Sequence, residues 1–369
     1  MHEMVCLDMP LGQPFVDRIK RAWDEGDAVF PLDQRLPGPA RDASLAAVRP
    51  TLIATETGDT RVDGDRVAEG DAVVVATSGS TGAPKAAILT HTAIRASAVA
   101  VHSRLGVGPD DAWLACLPPA HVGGLSVVLR SLVTGVPLHL SDGFSVERYV
   151  SASHEGATLV SLVSTALARV DPGLYRVIVL GGSRPPADRP PNTVTTYGMT
   201  ETGSGVVYDG VPLDGVEVVI RDGIIHLRSP MNMRAYRNAP SPIDAGGWLR
   251  TGDLGAIADD GRLMVHGREG DLIITGGENV WPEDVERAIS GMSGVTDCCV
   301  VGVPDPEWGQ SVHAFVVSDD VLTLQAVREH VKTTLPPHCA PKHLHPVTSI
   351  PRTALGKPVR AELLRNLRG

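Results

Sequence analysis

The chain has 369 residues, of which 43% are hydrophobic and 21% charged, and its formal net charge is −10. These values are typical of a globular protein too large for one compact core, so we expect two or more domains. The negative net charge and an aromatic content of only 4% argue against nucleic-acid binding as the main task. No run approaches the ~18 apolar residues of a membrane-spanning helix, so no membrane span is expected.

The five cysteines favour a reducing compartment. They include the adjacent pair Cys298 and Cys299 and form no C-x-x-C motif, so we expect free thiols rather than disulfides. Glu3 and Asp8 stand near the N-terminus, which lacks the basic and then apolar segments of a signal peptide. We therefore expect a cytoplasmic protein and leave open whether it forms a homodimer.

Residues 1–70 contain the chain breakers Pro31, Pro37, Pro39 and Pro50, and we expect this region to be irregular. From residue 71 onward strands and helices alternate, which predicts an α/β layered core with a largely parallel sheet. The strand-like runs are 71–77, 85–90, 113–117, 136–140, 158–163, 175–180 and 193–197. The helical candidates are 93–105, 124–134, 146–153 and 164–170.

The pattern changes near residue 210 and again near Gly267. Segment 215–228 is typical of a hairpin that turns at Asp222-Gly223. Residues 268–369 alternate between strands and helices over about a hundred residues, which predicts a compact α+β domain. We therefore predict a large N-terminal domain over 1–267, with a β-rich lobe at about 210–267, and a small C-terminal domain over 268–369.

The run from Thr77 to Lys85 contains hydroxyl side chains, two glycines and one of only five lysines in the chain. Glycines let backbone N–H groups converge on phosphate oxygens, and the hydroxyls and lysine add donors and charge, so the run predicts an anion site. It is not a Walker A motif, because Pro84 precedes the lysine. The apolar runs on both sides predict a loop between two strands; the alternative is an ordinary mobile Ser/Gly hairpin.

Four further segments carry residues suited to nucleotide chemistry, although each alone is compatible with an ordinary turn. They are 196–202 (Thr-Tyr-Gly-Met-Thr-Glu-Thr), 248–254 (Trp-Leu-Arg-Thr-Gly-Asp-Leu), 267–286 (from Gly-Arg to Val-Glu) and 351–357 (Pro-Arg-Thr-Ala-Leu-Gly-Lys).

In this order and spacing, the five segments resemble the signature set of the adenylate-forming superfamily of acyl-CoA ligases, luciferases and peptide-synthetase adenylation domains. The resemblance runs from about residue 71 to the C-terminus. It implies a large multi-lobed N-terminal α/β domain, a small mobile α+β C-terminal domain, and ATP, Mg²⁺ and a thiol such as coenzyme A as reactants. Two features narrow the resemblance: the phosphate loop begins as early as Thr77, and the segments 197–202 and 207–215 are similar to those of one subfamily. This subfamily is the short actinobacterial form of the 2-succinylbenzoate–CoA ligases of menaquinone biosynthesis. The resemblance implies that the chain joins 2-succinylbenzoate to coenzyme A with ATP, forming 2-succinylbenzoyl-CoA, AMP and diphosphate.

The resemblance also implies roles residue by residue. Lys357 would bridge the attacking carboxylate and the α-phosphate, Thr200 would contact the α-phosphate, and Glu201 would bind Mg²⁺. The ATP-binding residues would be Thr77, Ser78, Gly79, Ser80, Thr81, Gly82, Lys85, Gly181, Gly182, Ser183, Tyr197, Gly198, Met199, Asp253 and Arg268. Of these, Gly181, Gly182, Ser183 and Tyr197 would surround the adenine. Asp253 would hold the ribose hydroxyls, and Arg268 would support the ribose and the phosphates. The thioester-forming loop would include Gly276, Gly277 and Trp281, and the hinge between the domains would be Gly270, where relatives usually have Asp or Lys.

Several alternatives stay open at this point. His121 is a candidate catalytic residue that lines the acyl and thiol channels, or a helix-start histidine with a structural hydrogen bond. The candidates for holding the acid's second carboxylate are Ser161, Ser164, Thr165 and Ser204. His338, Cys339, His343 and His345 suit a metal by type, but their spacing matches no zinc pattern, so we expect none there.

The rival functions are a ligase for another aryl or acyl acid, a stand-alone adenylation protein that loads a separate carrier, and a non-catalytic nucleotide-binding protein. The phosphate loop also begins earlier in the chain than in most relatives. This departure from the family pattern leaves open how the N-terminal lobe is completed, for which a partner subunit is one solution.

Overall fold

The computed structural model of the chain describes residues 2–77, 84–182, 188–352 and 358–367. By contact density the chain divides into two compact units, of which the first comprises Met1–Val219 and His226–Arg250 and the second comprises Ile220–Ile225 and Thr251–Gly369. The predicted domain boundary between 267 and 268 stays a prediction, because contact density does not reveal where one part rotates against another.

The strands are numbered in chain order. They are β1 (Met4–Leu7), β2 (Ala28–Pro31), β3 (Leu52–Thr55), β4 (Gly58–Arg61), β5 (Asp71–Thr77), β6 (Lys85–Thr90), β7 (Trp113–Ala115), β8 (Leu138–Leu140), β9 (Leu159–Leu162), β10 (Val177–Leu180), β11 (Thr193–Met199), β12 (Ser204–Tyr208), β13 (Val211–Pro212), β14 (Glu217–Arg221), β15 (Ile224–Arg228), β16 (Ala235–Tyr236), β17 (Leu249–Ile257), β18 (Leu263–Arg268), β19 (Ile273–Thr275), β20 (Glu278–Val280), β21 (Val295–Asp305), β22 (Gly309–Ser318) and β23 (His343–Pro346).

The α-helices follow the same convention. They are α1 (Gln13–Asp24), α2 (Gly38–Val48), α3 (His91–Leu105), α4 (Val122–Thr134), α5 (Val146–His154), α6 (Ser164–Leu167), α7 (Pro282–Ser290), α8 (Leu324–Lys332) and α9 (Arg360–Asn366). The short 3₁₀ helices are Pro172–Leu174, Thr200–Thr202, Glu269–Asp271 and Pro337–Cys339.

The first unit contains two seven-stranded sheets. The first sheet has the strand order β16-β6-β5-β2-β1-β3-β4 and mixes parallel with antiparallel pairs. The second has the order β13-β12-β11-β10-β9-β7-β8, in which β8, β7, β9, β10 and β11 pair in parallel. The α/β class expected from the alternation is confirmed, and the largely parallel arrangement applies to this second sheet.

The expectation that residues 1–70 are irregular is wrong. This region forms the strands β1 to β4 and the helices α1 and α2. The side chains of Phe15 and Ile19 on α1 are fully buried, which fits the apolar stripe of an amphipathic helix. The prolines mark boundaries rather than disorder: Pro31 ends β2, and Pro39 lies in the first turn of α2, where a missing N–H costs little.

In the second unit, the predicted turn at Asp222-Gly223 joins β14 to β15 as expected, with positive φ angles of 51° and 76°. β17 pairs antiparallel with β18. The C-terminal part is a five-stranded sheet in which β20, β19, β22 and β21 are neighbours and β23 pairs with β22. Its core packs α7 and α8 against this sheet through buried apolar side chains, among them Val285, Ile289, Val300, Val312, Val327 and Val331.

The described helices include none that is both long and apolar enough to cross a membrane.

Candidate active site

The predicted phosphate loop joins two antiparallel strands, as the flanking apolar runs indicate. Thr77 at the end of β5 pairs with Lys85 at the start of β6. Asn238 fixes the end of the loop, because its side-chain oxygen accepts a hydrogen bond from Ala86 N at 3.0 Å and its amide donates to Pro84 O at 2.8 Å. The loop residues Ser78, Gly79, Ser80, Thr81 and Gly82 lie outside the described residues.

Glu201 and Lys85 both contact the same tyrosine, Tyr236. The hydroxyl of Tyr236 donates a hydrogen bond to the Glu201 carboxylate. The ammonium of Lys85 lies 5.4 Å from the centroid of the same tyrosine ring, within the range of a cation–π contact. The phosphate-loop lysine and the predicted Mg²⁺ ligand are therefore brought to the same tyrosine, which lies in β16 of the first sheet and pairs with Ala87 in β6.

The Thr200–Thr202 segment is a 3₁₀ turn directly after β11. The Thr202 hydroxyl accepts a hydrogen bond from Met199 N at 2.9 Å and lies 2.7 Å from Ser204 O. Met233 N donates to Glu201 O at 2.7 Å. These backbone contacts hold Thr200 and Glu201 at the carboxyl end of a strand in the second sheet, where open α/β sheets usually bind ligands.

The predicted adenine-binding residues meet at the ends of β10 and β11. Gly181 follows β10, and a Cβ on it would lie 2.9 Å from the Thr196 hydroxyl oxygen. In β11 the register shifts between Tyr197 and Gly198, and a Cβ at Gly198 would lie 2.2 Å from the carbonyl oxygen of Ser204. Only glycine allows these close approaches. Gly182 continues the same turn with φ at 85°, and Ser183 lies outside the described residues.

The predicted ribose-binding residues, Asp253 and Arg268, are neighbours in the second unit. They are paired positions of β17 and β18, and Arg268 Nε lies 2.7 Å from Asp253 Oδ1. Arg268 Nη1 also donates to Thr251 O at 3.3 Å. The Asp253 side chain is only 9% exposed and that of Arg268 is 53% exposed, so a largely buried carboxylate is oriented by a cation that solvent reaches.

His121 precedes α4 and contacts an aspartate from the N-terminal region. His121 Nε2 lies 3.3 Å from Asp33 Oδ2, and Arg35 donates two hydrogen bonds of 2.8 Å to the same carboxylate. Burial alone would raise the pKa of Asp33, but the contacts with Arg35 and His121 outweigh it and hold that pKa below its ordinary value. Asp33 thus remains an anion beside the His121 ring, and His121 Nε2 forms no hydrogen bond within the described part of the chain.

The predicted thioester loop is a tight hairpin in the second unit. Gly276 and Gly277 join β19 to β20 with φ angles of 59° and 83°, as a type I′ turn requires. Trp281 follows β20 and its ring stacks on that of His266 at 5.6 Å. The predicted hinge, Gly270, lies in the 3₁₀ turn Glu269–Asp271, and a Cβ there would meet no atom within 4 Å. Lys357 lies outside the described residues.

Two sequence profiles match nearly the whole chain. The AMP-binding enzyme family matches residues 39–280, and the AMP-binding enzyme C-terminal domain matches residues 284–357. The chain belongs to the AMP-binding enzyme family. It is 41% identical to a probable 2-succinylbenzoate–CoA ligase of Mycobacterium tuberculosis H37Rv, over 92% of this chain and 95% of that protein. It is 34% identical to the 2-succinylbenzoate–CoA ligase of Listeria monocytogenes serotype 4b, over 79% and 69%.

Solved structures give the same result for the fold of this AMP-binding enzyme. The o-succinylbenzoate CoA synthetase of Bacillus subtilis bound to its acyl-adenylate intermediate superimposes with a TM-score of 0.88, at 26% identity over 98% of this chain and 88% of that chain. The same protein bound to ATP and a magnesium ion gives a TM-score of 0.87, also at 26% identity. The predicted adenylate-forming fold is therefore confirmed.

The chemistry of Glu201 fits the Mg²⁺ that this family implies. Mg²⁺ usually takes one or two protein carboxylates, while substrate phosphates and waters supply the other oxygens. Glu201 offers one carboxylate beside Lys85 and Tyr236. Among the described residues no group of three or more His, Cys, Asp or Glu side chains is arranged to hold a metal.

A buried arginine that sequence reasoning missed lies close to this site. Arg130 in α4 is only 3% exposed, and its Nε and Nη1 atoms have no hydrogen-bond partner within the described part of the chain. Its guanidinium carbon lies 4.8 Å from the centroid of the Trp113 ring. It lines a pocket with Ser97, Ser126 and Gly203. Because Gly203 directly follows the Thr200–Thr202 turn, the pocket adjoins Thr200 and Glu201, the predicted contacts of the α-phosphate and Mg²⁺.

Proposed function

We propose that this AMP-binding enzyme is an ATP-dependent acid–thiol ligase that converts 2-succinylbenzoate and coenzyme A to 2-succinylbenzoyl-CoA, a step of menaquinone biosynthesis. The observation that carries the proposal is the 41% identity to the Mycobacterium tuberculosis protein, which extends along 95% of that relative. The Bacillus subtilis structure with its acyl-adenylate, at a TM-score of 0.88, supports it. The five cysteines, all described and all free, are consistent with a cytoplasmic enzyme.

The reaction has two steps. The succinyl carboxylate attacks the α-phosphorus of ATP, so that a C–O–P bond forms and pyrophosphate leaves. The sulfur of coenzyme A then attacks the acyl carbon, and AMP leaves. Both partners of the first step are anions, so cations and oriented donors must stabilise the charge that develops. Lys85, Thr200 and Lys357 would supply these groups, and Asp253 with Arg268 would hold the ribose. Glu201 would hold Mg²⁺, which when bound supplies positive charge to the phosphates.

Arg130 suits the second carboxylate of 2-succinylbenzoate. A buried guanidinium without a hydrogen-bonded anion is costly, and burial lowers the pKa of Arg130. The pocket beside the guanidinium has an accessible volume of only about 10 Å³, so it must open to admit a substrate carboxylate. A carboxylate that enters would neutralise this charge and give the guanidinium hydrogen-bond acceptors. Of the hydroxyls considered from sequence, that of Ser204 is buried and lies 3.0 Å from the hydroxyl of Ser97, a pocket residue. Arg130 is thus the stronger candidate for this carboxylate.

A pair of substrates tests both the proposed reaction and the role of Arg130 in binding the second carboxylate. 4-Oxo-4-phenylbutanoate keeps the succinyl chain of 2-succinylbenzoate but lacks the carboxylate on the ring. The wild-type enzyme should release pyrophosphate with 2-succinylbenzoate at a much higher kcat/KM than with this analogue. Arg130→Met should lower kcat/KM for 2-succinylbenzoate by roughly a hundredfold, since breaking a buried ion pair costs about 3 kcal/mol or more. Arg130→Met should keep kcat/KM for 4-oxo-4-phenylbutanoate within a few-fold of the wild-type value.

Matched controls make this test decisive. Arg95→Met removes a solvent-exposed arginine on α3 and should not change kcat/KM for either substrate. Equal losses for both substrates in Arg130→Met would make Arg130 a structural residue. A screen of other carboxylic acids, with and without coenzyme A, tests the function itself. Preference for another acid, activation of amino acids only, or pyrophosphate release that never leads to a thioester would each overturn the proposal.

A further inference from the structure

Tyr236 contacts two predicted site residues that come from different sheets of the first unit. It belongs to β16, which is next to β6 in the first sheet, and Lys85 is the first residue of β6. Glu201 lies in the turn that follows β11 of the second sheet. The Tyr236 hydroxyl donates a hydrogen bond to Glu201 Oε1, and the ring centroid lies 5.4 Å from Lys85 Nζ. One half-buried side chain therefore joins the two sheets at the predicted site.

The backbone of Tyr236 is fixed on both sides. β16 pairs antiparallel with β6. Before the tyrosine, Arg234 N donates a hydrogen bond to Ile88 O at 2.9 Å. After it, Arg237 N donates a hydrogen bond to Ala86 O at 2.8 Å. Because a tyrosine side chain has few rotatable bonds, little freedom remains for the ring once its backbone is held.

The same segment of the chain holds Glu201. Met233 N donates a hydrogen bond to Glu201 O at 2.7 Å, and the Tyr236 hydroxyl donates to one of the carboxylate oxygens. A glutamate side chain loses much rotamer entropy when it is fixed, so an unrestrained carboxylate would spend little time in any one orientation. The phenol donor engages Oε1, so this hydrogen bond orients the carboxylate without occupying its second oxygen.

The ring of the tyrosine restrains Lys85 in a comparable way. The pairing of Lys85 with Thr77 fixes the backbone of the lysine, but its ammonium is a point charge on a flexible stem. At 5.4 Å from the ring centroid, this charge is attracted by the negative face of the Tyr236 ring. The ring therefore narrows the region that the ammonium occupies.

We propose that Tyr236 is a positioning residue for adenylation: its hydroxyl aligns the Glu201 carboxylate with Mg²⁺, and its ring places the Lys85 ammonium near the phosphates of ATP. This inference rests on the proposed function, in which Glu201 holds the metal and Lys85 contacts phosphate. A hydrogen-bond partner of a metal ligand typically contributes about 10- to 100-fold to metal affinity or activity. A cation–π contact near the surface contributes about two- to fivefold to an equilibrium constant. The two roles therefore differ in size and can be separated.

The Mg²⁺ complex of α,β-methylene-ATP tests both roles, because this analogue keeps the phosphate charges of ATP and cannot release pyrophosphate. Its dissociation constant is measured by isothermal titration calorimetry with the full-length protein. Tyr236→Phe keeps the ring and removes the hydroxyl, and it should weaken binding about tenfold. Tyr236→Leu removes the ring as well and should weaken binding about two- to fivefold further. Loss of folded protein would lower the stoichiometry and not the affinity, so the titration distinguishes misfolding from misplacement.

Two variant backgrounds show whether Tyr236 acts through its partners. In a Glu201→Gln protein, the added change Tyr236→Phe should weaken binding no further, because coupled side chains are not additive. In a Lys85→Met protein, Tyr236→Phe and Tyr236→Leu should bind the complex equally. Tyr175→Phe is the matched control in the same unit. It removes a hydroxyl that donates to Tyr149 O at 2.9 Å, and it should leave the affinity unchanged.

Three results would overturn the proposal in whole or in part. An unchanged affinity in Tyr236→Phe would refute the role of the hydroxyl. The same loss in the wild-type and Glu201→Gln backgrounds would do so too, because the hydroxyl would then act independently of the metal-binding carboxylate. A difference between Tyr236→Phe and Tyr236→Leu that persists in Lys85→Met would refute the role of the ring. The titration contains neither acid nor CoA, so a wild-type enzyme that ligates another acid would refute the proposed function and leave the result for Tyr236 intact.

Discussion

Gly198→Ala tests whether the close approach of β11 and β12 shapes the nucleotide side of the active site. The added Cβ would lie 2.2 Å from Ser204 O and 2.7 Å from Gly205 Cα, both of them backbone atoms. Non-bonded Cβ contacts in proteins are essentially never below 3.0 Å, so the two strands must separate by about 1 Å. Overpacking of this kind costs about 1–3 kcal/mol. A shift of that size in Tyr197 and Thr200 should also slow adenylation by roughly a hundredfold.

The assay combines urea unfolding with initial rates of pyrophosphate release. Gly108→Ala provides the control in the same unit, because a Cβ at Gly108 meets no atom within 4 Å, and we expect its stability and rates to match the wild type. Gly198→Ala should lower the free energy of unfolding and raise the KM for ATP together. If the Gly198 variant retained both wild-type stability and wild-type adenylation, the close contact between β11 and β12 would not exist as described.

Four further predictions concern charge and rotation. Glu201→Gln should raise the Mg²⁺ concentration needed for half-maximal adenylation, because a neutral ligand holds a hard cation less well; an unchanged titration would make Glu201 structural. Lys357→Ala should slow adenylation only. Gly270→Pro should block thioester formation more than adenylation because proline fixes φ. Wild-type rates in both steps of the Gly270 variant would show that Gly270 is not the hinge. Burial and two neighbouring histidines lower the pKa of His313 to about 4, so between about pH 6.5 and 4 the unfolded chain binds a proton that the folded chain does not. Stability to urea should therefore fall as the pH drops from about 6.5 towards 4. His313→Gln should make this decline less steep, and an equally steep decline in the variant would refute the prediction.

The sequence predicted best what depends on local pattern. β5 and β6 match the predicted bounds, because long apolar runs end at a loop with clear composition. The N-terminal strands were missed because β1 and β2 have four residues each and no alternation. Their burial comes from parallel pairing with segments more than twenty residues away, which no local window detects. Residues 1–70 thus supply four strands to the first sheet and so form part of the N-terminal lobe themselves.

The side chains that orient the site were missed for the same reason. Tyr236 is 35 residues from Glu201 in the chain, and Asp33 is further still from His121. Only the pairing of β16 with β6 and the packing of the N-terminal region bring these partners together. Arg130 differs, because it is the one charged residue of the helix Val122–Thr134. A lone charge in an apolar helix is a usable signal for a buried functional group.

The contacts around Gly270 indicate what a rotation there would break. The contacts of the second unit that cross this position include the stacking of His266 on Trp281 at 5.6 Å. This stacking is not a buried ion pair, so separating the two rings should cost little.

Beyond the glycine the chain is anchored more firmly. Arg360 lies 3.4 Å from Asp271, 3.3 Å from Glu283 and 2.8 Å from Glu286. Because one arginine joins Asp271 to helix α7, the residue directly after Gly270 should move with the C-terminal part. If the C-terminal part rotates, this anchoring leaves the swivel to Glu269 and Gly270, which lie between β18 and Asp271, and Gly270 is the one of the two with the wider backbone freedom.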